Sequence, residues 1–361
     1  MKAWVLNKID EIKYEDVTRP VPAEGEVLLR VRAAGICGSD VPRVYQTGAH
    51  KMPLIPGHEF SGVVEDVGPG VDERWLNKPV GVFPLIPCRK CEPCRHGHFE
   101  LCRSYDYVGS RRDGAFGEFV TVPAANLMEL PEGVSFEEAA MLEPMAVAVH
   151  AMRKGIMTGE GENAVKLPLD AKVAVCGLGT IGLLLVMFLL EEGYRNLYVI
   201  GNKAFQKEKA AKLGITPDRF CDSKSENVSD WFREKASGLD LYFECVGRNE
   251  SINYGLDAAA PEGRIVLVGN PAGDMEFGRD MYWKILRNQL TLRGTWNSSC
   301  GAMDPDLVPF DDWGYVIGKL REQRISPRDI ISHTFPLEGL EQGILLMRDK
   351  KEDYGKVMIL P

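Results

Sequence analysis

The sequence predicts a mixed α/β fold in two domains, an irregular β-barrel followed by a doubly wound parallel sheet. Three observations carry this. The 361 residues exceed one ordinary core of roughly 100–200 residues and fall short of three. Up to about residue 145, short β-rich runs alternate with Gly and Pro, whereas from Lys172 onward apolar strand, glycine turn and helix succeed one another. At 45 % hydrophobic and 26 % charged residues, the composition is that of a compact globular chain and excludes disorder, collagen-like repetition and a coiled coil.

Taken in order, the strand candidates of the first part are VLLRVRAAG (27–35), HEFSGVVEDVG (58–68) and GEFVTVP (117–123), each bounded by Gly or Pro. KVAVC, GLGTIG, LLLVMFLLEEG and NLYVIG then read as one βαβ unit. Further buried strands at LDLYFECVG (239–247), GRIVLVG (263–269) and LTLRGTW (290–296) alternate with helix-compatible stretches, as a parallel sheet covered on both faces requires. The tail beyond Trp296 is too short to stand alone and is expected to rejoin the first domain. The expected domains are therefore 1–149 with 297–361, and 150–296.

A formal charge of −9 disfavours a nucleic-acid partner. The apolar run Ile181–Leu190 falls short of the ~20 residues that span a bilayer, so no membrane role is expected. The N-terminal MKAWVLNKIDEIKYED lacks the apolar core of a secretory signal, which predicts a cytoplasmic protein. Nine cysteines, four of them crowded between Cys88 and Cys102, suit metal ligation in a reducing compartment better than a disulfide framework.

Gly177, Gly179 and Gly182 form G-x-G-x-x-G between a strand and a helix, where they permit a tight turn, close approach of a pyrophosphate and close helix packing. The whole hexapeptide, with Leu178, Thr180 and Ile181, is the predicted dinucleotide cradle. NAD binding calls for an acidic side chain at the end of the next strand, but the chain reads Gly201-Asn202-Lys203. An amide and an ammonium in place of a carboxylate favour the 2′-phosphate of NADP, with NAD as the alternative. Val246 and Val268, at the ends of later strands, complete the expected cofactor surface.

Two metal constellations follow from cysteine, histidine and carboxylate spacing. Cys88, Cys91, Cys94 and Cys102 have the pattern C-x2-C-x2-C-x7-C, and four thiolates close a tetrahedral structural zinc site. A ferredoxin-type run would end in C-x3-C-P, whereas Arg103 follows Cys102. The second set is Cys37, His58 and Glu143, three zinc ligands that leave one position for an alcohol oxygen, with Glu59 as a fourth, exchangeable ligand or a neighbour. Asp40 is the expected acceptor for the free ring nitrogen of His58, and Ser39 the expected proton acceptor.

These pieces, AGICGSD, GHEFSGVVEDVG, the four-cysteine lobe, the Glu143 segment and GLGTIG, resemble the zinc-dependent medium-chain dehydrogenases over essentially the whole chain. Glu rather than Cys at 143 is similar to the polyol, sorbitol-type branch. The resemblance implies a GroES-like catalytic domain, a Rossmann domain, one catalytic and one structural zinc, and hydride transfer between a polyol phosphate and NAD(P). Unphosphorylated polyols or secondary alcohols are the alternative substrates. It also implies a homodimer or homotetramer. Three features depart from the family. Pro42 and Arg43 replace the relay histidine expected after Ser39, the turn at 201–203 lacks its acid, and MTGEGENAVKLPLD is a long connection before the Rossmann strand. A substrate phosphate would be met by Arg43, Arg111 and Arg112, with His50, Lys51 and Asn297 next and Trp296 walling the sugar.

Overall fold

The computed structural model describes all residues except 160–163, 237 and 272. The chain folds into two compact units, 1–146 with 298–361 and 147–297, so the breaks fall after residues 146 and 297 where the sequence suggests 149 and 296. Residues 160–163 of the long connection lie outside the described residues. Its flanks, Met157–Thr158 and Val165–Lys166, pair antiparallel.

The first unit is built on a seven-stranded sheet. Its order is Ile331–Pro336, Lys356–Leu360, Glu26–Ile36, Glu59–Val67, Pro79–Val82 and Leu127–Glu129, with Phe119–Pro123 also pairing with Glu26–Ile36. Val27, Leu29 and Val31 point into the core along the longest strand, while Arg30 and Arg32 on the other face are exposed and Leu28 is buried outside that core cluster. The tail supplies two strands, and Val357 and Ile359 join that core. An N-terminal hairpin, Lys2–Lys8 with Glu11–Asp16, adds Trp4, whose indole N–H donates to the Leu337 carbonyl at 2.7 Å.

The second unit holds six parallel strands in the order Phe220–Asp222, Leu197–Gly201, Val173–Cys176, Leu239–Glu244, Ala259–Leu267, Thr291–Gly294. Strand order reverses beside Val173–Cys176, and a crevice forms at the carboxyl ends of strands at such a point. The helix Thr180–Glu191 buries every residue from Gly182 to Leu189, which accounts for an apolar run with no polar face. Among the described residues no helix is long and apolar enough to cross a membrane.

Candidate active site

The antiparallel register that sets Gly35 opposite Glu59 brings the segment after one strand, with Cys37, beside the entry to the next, with His58. Donor atoms of Cys37, His58 and Glu59 converge within 4.8 Å of one another. Glu143, the expected third ligand, stands outside this trio in the first turn of the helix Leu142–Ile156, where its Oε1 accepts from the Tyr107 hydroxyl at 3.0 Å. Glu59 takes its place because its strand pairs directly with that preceding Cys37. The helix Phe136–Ala140 that leads to Glu143 is fixed by a reciprocal capping box between Ser135 and Glu138.

The surroundings are crowded with negative groups. Burial pushes the Cys37 thiol up to about 12, with Glu59 and Asp40 adding to the shift. Burial likewise raises Glu143 to about 7, opposed by His58 and reinforced by Glu59. A thiol, a buried imidazole and a buried carboxylate, converging within 4.8 Å, form a donor set that a divalent cation satisfies. Zinc therefore fits this set.

Asp40 is fully buried on the short helix Asp40–Pro42, and its Oδ2 accepts from the Cys37 N–H at 2.9 Å. Its Oδ1 faces His58 Nδ1 at 3.6 Å and also accepts from the Arg43 guanidinium. His58 Nδ1 is buried without a hydrogen-bond partner, so Asp40 is the carboxylate beside it but lies beyond bonding range. Ser39 precedes this helix and its hydroxyl caps nothing.

The sequence does not disclose Lys356. It is fully buried on the strand Lys356–Leu360, where its ammonium pairs with Glu59 Oε2 and donates to the Ile36 carbonyl at 3.1 Å. Burial opposes its charge, and Glu59 and Cys37 more than compensate, so its pKa stands above the usual lysine value. Gly35 makes the pair possible, because a Cβ there would run into Glu59 Oε2 and lie 2.6 Å from Lys356 Cε.

In the cysteine lobe the four sulfurs also converge within 4.8 Å. Cys91 Sγ lies 3.9 Å from Cys102 Sγ, matching the sulfur–sulfur edge of about 3.8 Å that a tetrahedron with 2.3 Å zinc–sulfur bonds requires. Backbone N–H groups at Arg103 and Cys94 lower the Cys91 thiol to about 6, which favours the thiolate a metal binds.

In the second unit a cavity of about 310 Å³ is lined by Gly177, Leu178, Gly179, Gly201, Asn202 and Val246, among others. Gly177 has φ +93°, and a Cβ there would meet Val246 Cγ2 at 2.6 Å; a Cβ on Gly182 would strike the Gly177 carbonyl. A Cβ on Gly179 would enter open space, the cradle in which a pyrophosphate can approach the backbone. Thr180, Ile181 and Gly182 form the first turn of the following helix. Asn202 N–H donates to Gln206 Oε1 at 2.9 Å, and Lys203 precedes the helix Ala204–Lys212. Glu244 is likewise undisclosed by the sequence: its buried carboxylate Oε1 accepts from Val246 N–H, Gly247 N–H and Ser251 Oγ at 2.7–2.8 Å and holds the backbone and side chain that line the pocket there. Val268 N–H bonds the Glu244 carbonyl.

The expected phosphate donors separate. Arg43 is engaged by Asp40, three residues before it, and Arg112 by Glu26 at 2.5 Å, the salt-bridge alternative for these arginines. His50 and Lys51 are exposed. Trp296 is 53 % exposed, and Asn297 adopts φ +51° with its buried Nδ2 unpartnered. Arg111 stacks over Tyr105 at 4.5 Å.

Comparison with known proteins matches residues 23–132 to the alcohol dehydrogenase GroES-like domain and residues 180–310 to the zinc-binding dehydrogenase family. Galactitol 1-phosphate 5-dehydrogenase of Escherichia coli (strain K12) is 30 % identical over 356 residues, 98 % of this chain and 95 % of the relative. L-threonine 3-dehydrogenase of Bacillus licheniformis is 32 % identical over 355 residues, 96 % and 95 % of the two chains. The crystal structure of galactitol-1-phosphate dehydrogenase from Escherichia coli superposes with a TM-score of 0.87 at 29 % identity and covers all of both chains.

Proposed function

Since the chain belongs to the zinc-binding medium-chain alcohol dehydrogenases, we propose that it oxidises a secondary hydroxyl of a polyol phosphate such as galactitol 1-phosphate to the ketose phosphate, reducing NADP to NADPH and releasing a proton. The reading rests on the likeness to galactitol 1-phosphate 5-dehydrogenase over nearly the whole chain, joined to the convergent Cys37, His58 and Glu59. The absence of an acid from Val199 to Phe205 supports NADP over NAD.

Cys37, His58 and Glu59 would hold the catalytic zinc, with Glu143 as the exchangeable carboxylate, and Cys88, Cys91, Cys94 and Cys102 the structural one. When bound, the catalytic zinc supplies a Lewis acid that makes an alcohol hydroxyl more acidic. Ser39 Oγ, committed to no cap, takes the hydroxyl proton as it gives up its own to solvent water. Asp40 holds the Cys37 N–H and so fixes the backbone of that ligand, and its carboxylate stands beside the His58 ring at 3.6 Å. Arg43 balances the buried Asp40 charge. Lys356 restrains Glu59, and the Tyr107 hydroxyl keeps Glu143 oriented within reach.

Engagement of Arg43 and Arg112 by acids favours a second reading, oxidation of an unphosphorylated polyol. We further read the protein as a cytoplasmic homodimer. The four thiols need a reducing compartment, and the edge strand Thr291–Gly294 lies in the same unit as a helix, Arg279–Arg287, that exposes Tyr282, Trp283 and Leu286. Initial rates of zinc-loaded protein with galactitol 1-phosphate and galactitol, each with NADP and NAD, test the assignment. Preference for the phosphorylated polyol with NADP is expected; equal or better turnover of galactitol would replace it with the second reading.

A further inference from the structure

We infer that Arg111 is the specificity-determining residue that anchors the anionic end of the substrate; this deepens the polyol-phosphate reading and rests on it. Three observations in the first unit point there. The first is place. The turn that carries Arg111 is closed by the N–H groups of Ser110, Arg111 and Arg112, all directed at the Tyr107 carbonyl, and by Gly109 N–H on the Arg112 carbonyl. It packs directly against the ligand loop, since a Cβ on Gly109 would lie 2.9 Å from the His58 backbone nitrogen. Arg111 is thus attached to the backbone that presents a metal ligand.

The second observation is orientation. The guanidinium lies over the Tyr105 ring at 4.5 Å, Tyr105 meets Tyr107 edge-on at 6.0 Å, and Tyr107 both bonds Glu143 and lies 5.9 Å from the His58 ring. The stack presents a planar cation at the far end of an aromatic wall that begins at the ligands. An extended polyol whose reacting carbon is four bonds from the phosphorylated one needs its phosphate held several ångströms from the metal, beyond the ligands themselves.

The third is an unmet bonding demand. Arg111 Nε is buried without an acceptor, in contrast to Arg43 and Arg112. Asp113, the neighbouring acid, spends Oδ1 on the Ile55 N–H at 2.9 Å. Among the described residues no carboxylate pairs with the Arg111 guanidinium, so its two terminal nitrogens are not committed to an acid, and a phosphate or carboxylate takes two guanidinium bonds in parallel.

The test compares wild type with Arg111→Gln and Arg111→Lys, using galactitol 1-phosphate, L-idonate and galactitol as substrates, and measures inorganic phosphate binding calorimetrically on zinc-loaded protein. A charged hydrogen-bonded contact predicts that R111Q lowers the kcat/KM preference for the phosphorylated over the neutral polyol by about 10- to 100-fold. R111K, which keeps the charge and loses the fork, falls between, and phosphate binding weakens in the same order. R111K also keeps the comparison readable if R111Q does not fold. A wild-type preference for L-idonate over galactitol, lost in R111Q, identifies a carboxylate as the anchored group. If wild type oxidises neither polyol yet binds phosphate in an Arg111-dependent way, the polyol-phosphate reading fails and the anchor stands. If R111Q keeps both the preference and phosphate binding, the anchor is refuted.

Discussion

Replacing Lys356 by Met removes the ammonium paired with Glu59 while keeping an unbranched side chain of similar length. Both side chains are 2 % exposed, so solvent does little to screen the carboxylate left behind. Breaking a buried ion pair from one side costs about 3–5 kcal/mol, chiefly the cost of stranding the remaining charge. In a unit of about two hundred residues each kcal/mol moves the unfolding midpoint by 2–4 °C, so the loss is roughly 6–20 °C. The assay is calorimetry on wild type, Lys356→Met, Glu59→Gln and the double variant, all stripped of metal alike. The double variant should recover most of the loss, because it removes both the cation and the charge the cation offsets. A fall of less than about 3 °C in Lys356→Met, or a double variant equal to the sum of the singles, would show that Lys356 does not offset a stranded Glu59 charge.

Cys91→Ser should lower the zinc content from two to one per chain, measured by atomic emission, and expose residues 87–103 to limited proteolysis; unchanged zinc would contradict the four-thiol site. Asn202→Asp should shift preference from NADP toward NAD by at least about 10-fold, through repulsion of the 2′-phosphate, and paired kcat/KM values measure it. Glu143 is held near 7 in the folded state, mainly by burial, against 4.5 in the unfolded chain. Folding thus favours its protonated form, and metal-free protein should be most stable at or below pH 4.5 with respect to this group. It should lose on the order of 3 kcal/mol as pH rises through 7, and Glu143→Gln should flatten that slope in a pH series of unfolding midpoints.

What the sequence disclosed was what adjacent residues determine. GLGTIG and the cysteine spacing carry their geometry within a few residues, and the fully buried strands around them need no distant partner to be read. Glu59 and Lys356 lie 297 positions apart, and only the sheet register shows that they meet. The same holds for Arg112, whose partner Glu26 lies 86 residues away, whereas the Asp40 that engages Arg43 is only three residues from it. That Glu59 sits in the convergent trio follows from the pairing of its strand with the one preceding Cys37, while Glu143 meets a hydroxyl, that of Tyr107, from another segment. The hairpin Lys2–Asp16 went unread because its Lys, Asp and Glu residues obscure the alternation, and Phe220–Asp222 because three residues show no period.

The unit assembled from both ends of the chain has a consequence for biosynthesis. Cys37, His58 and Glu59 leave the ribosome early, but the cation that pairs with Glu59 is 297 residues behind it, a delay of roughly 15–60 s at ordinary elongation rates. Throughout that interval the nascent chain displays a thiol and carboxylates without their lysine, while the continuous segment 147–297 has all its strands to hand. The dinucleotide half thus has the means to complete its sheet on the ribosome, and the metal half closes only after residues 331–360 emerge. Misfolding under heat stress or slowed translation should therefore concentrate in the first unit.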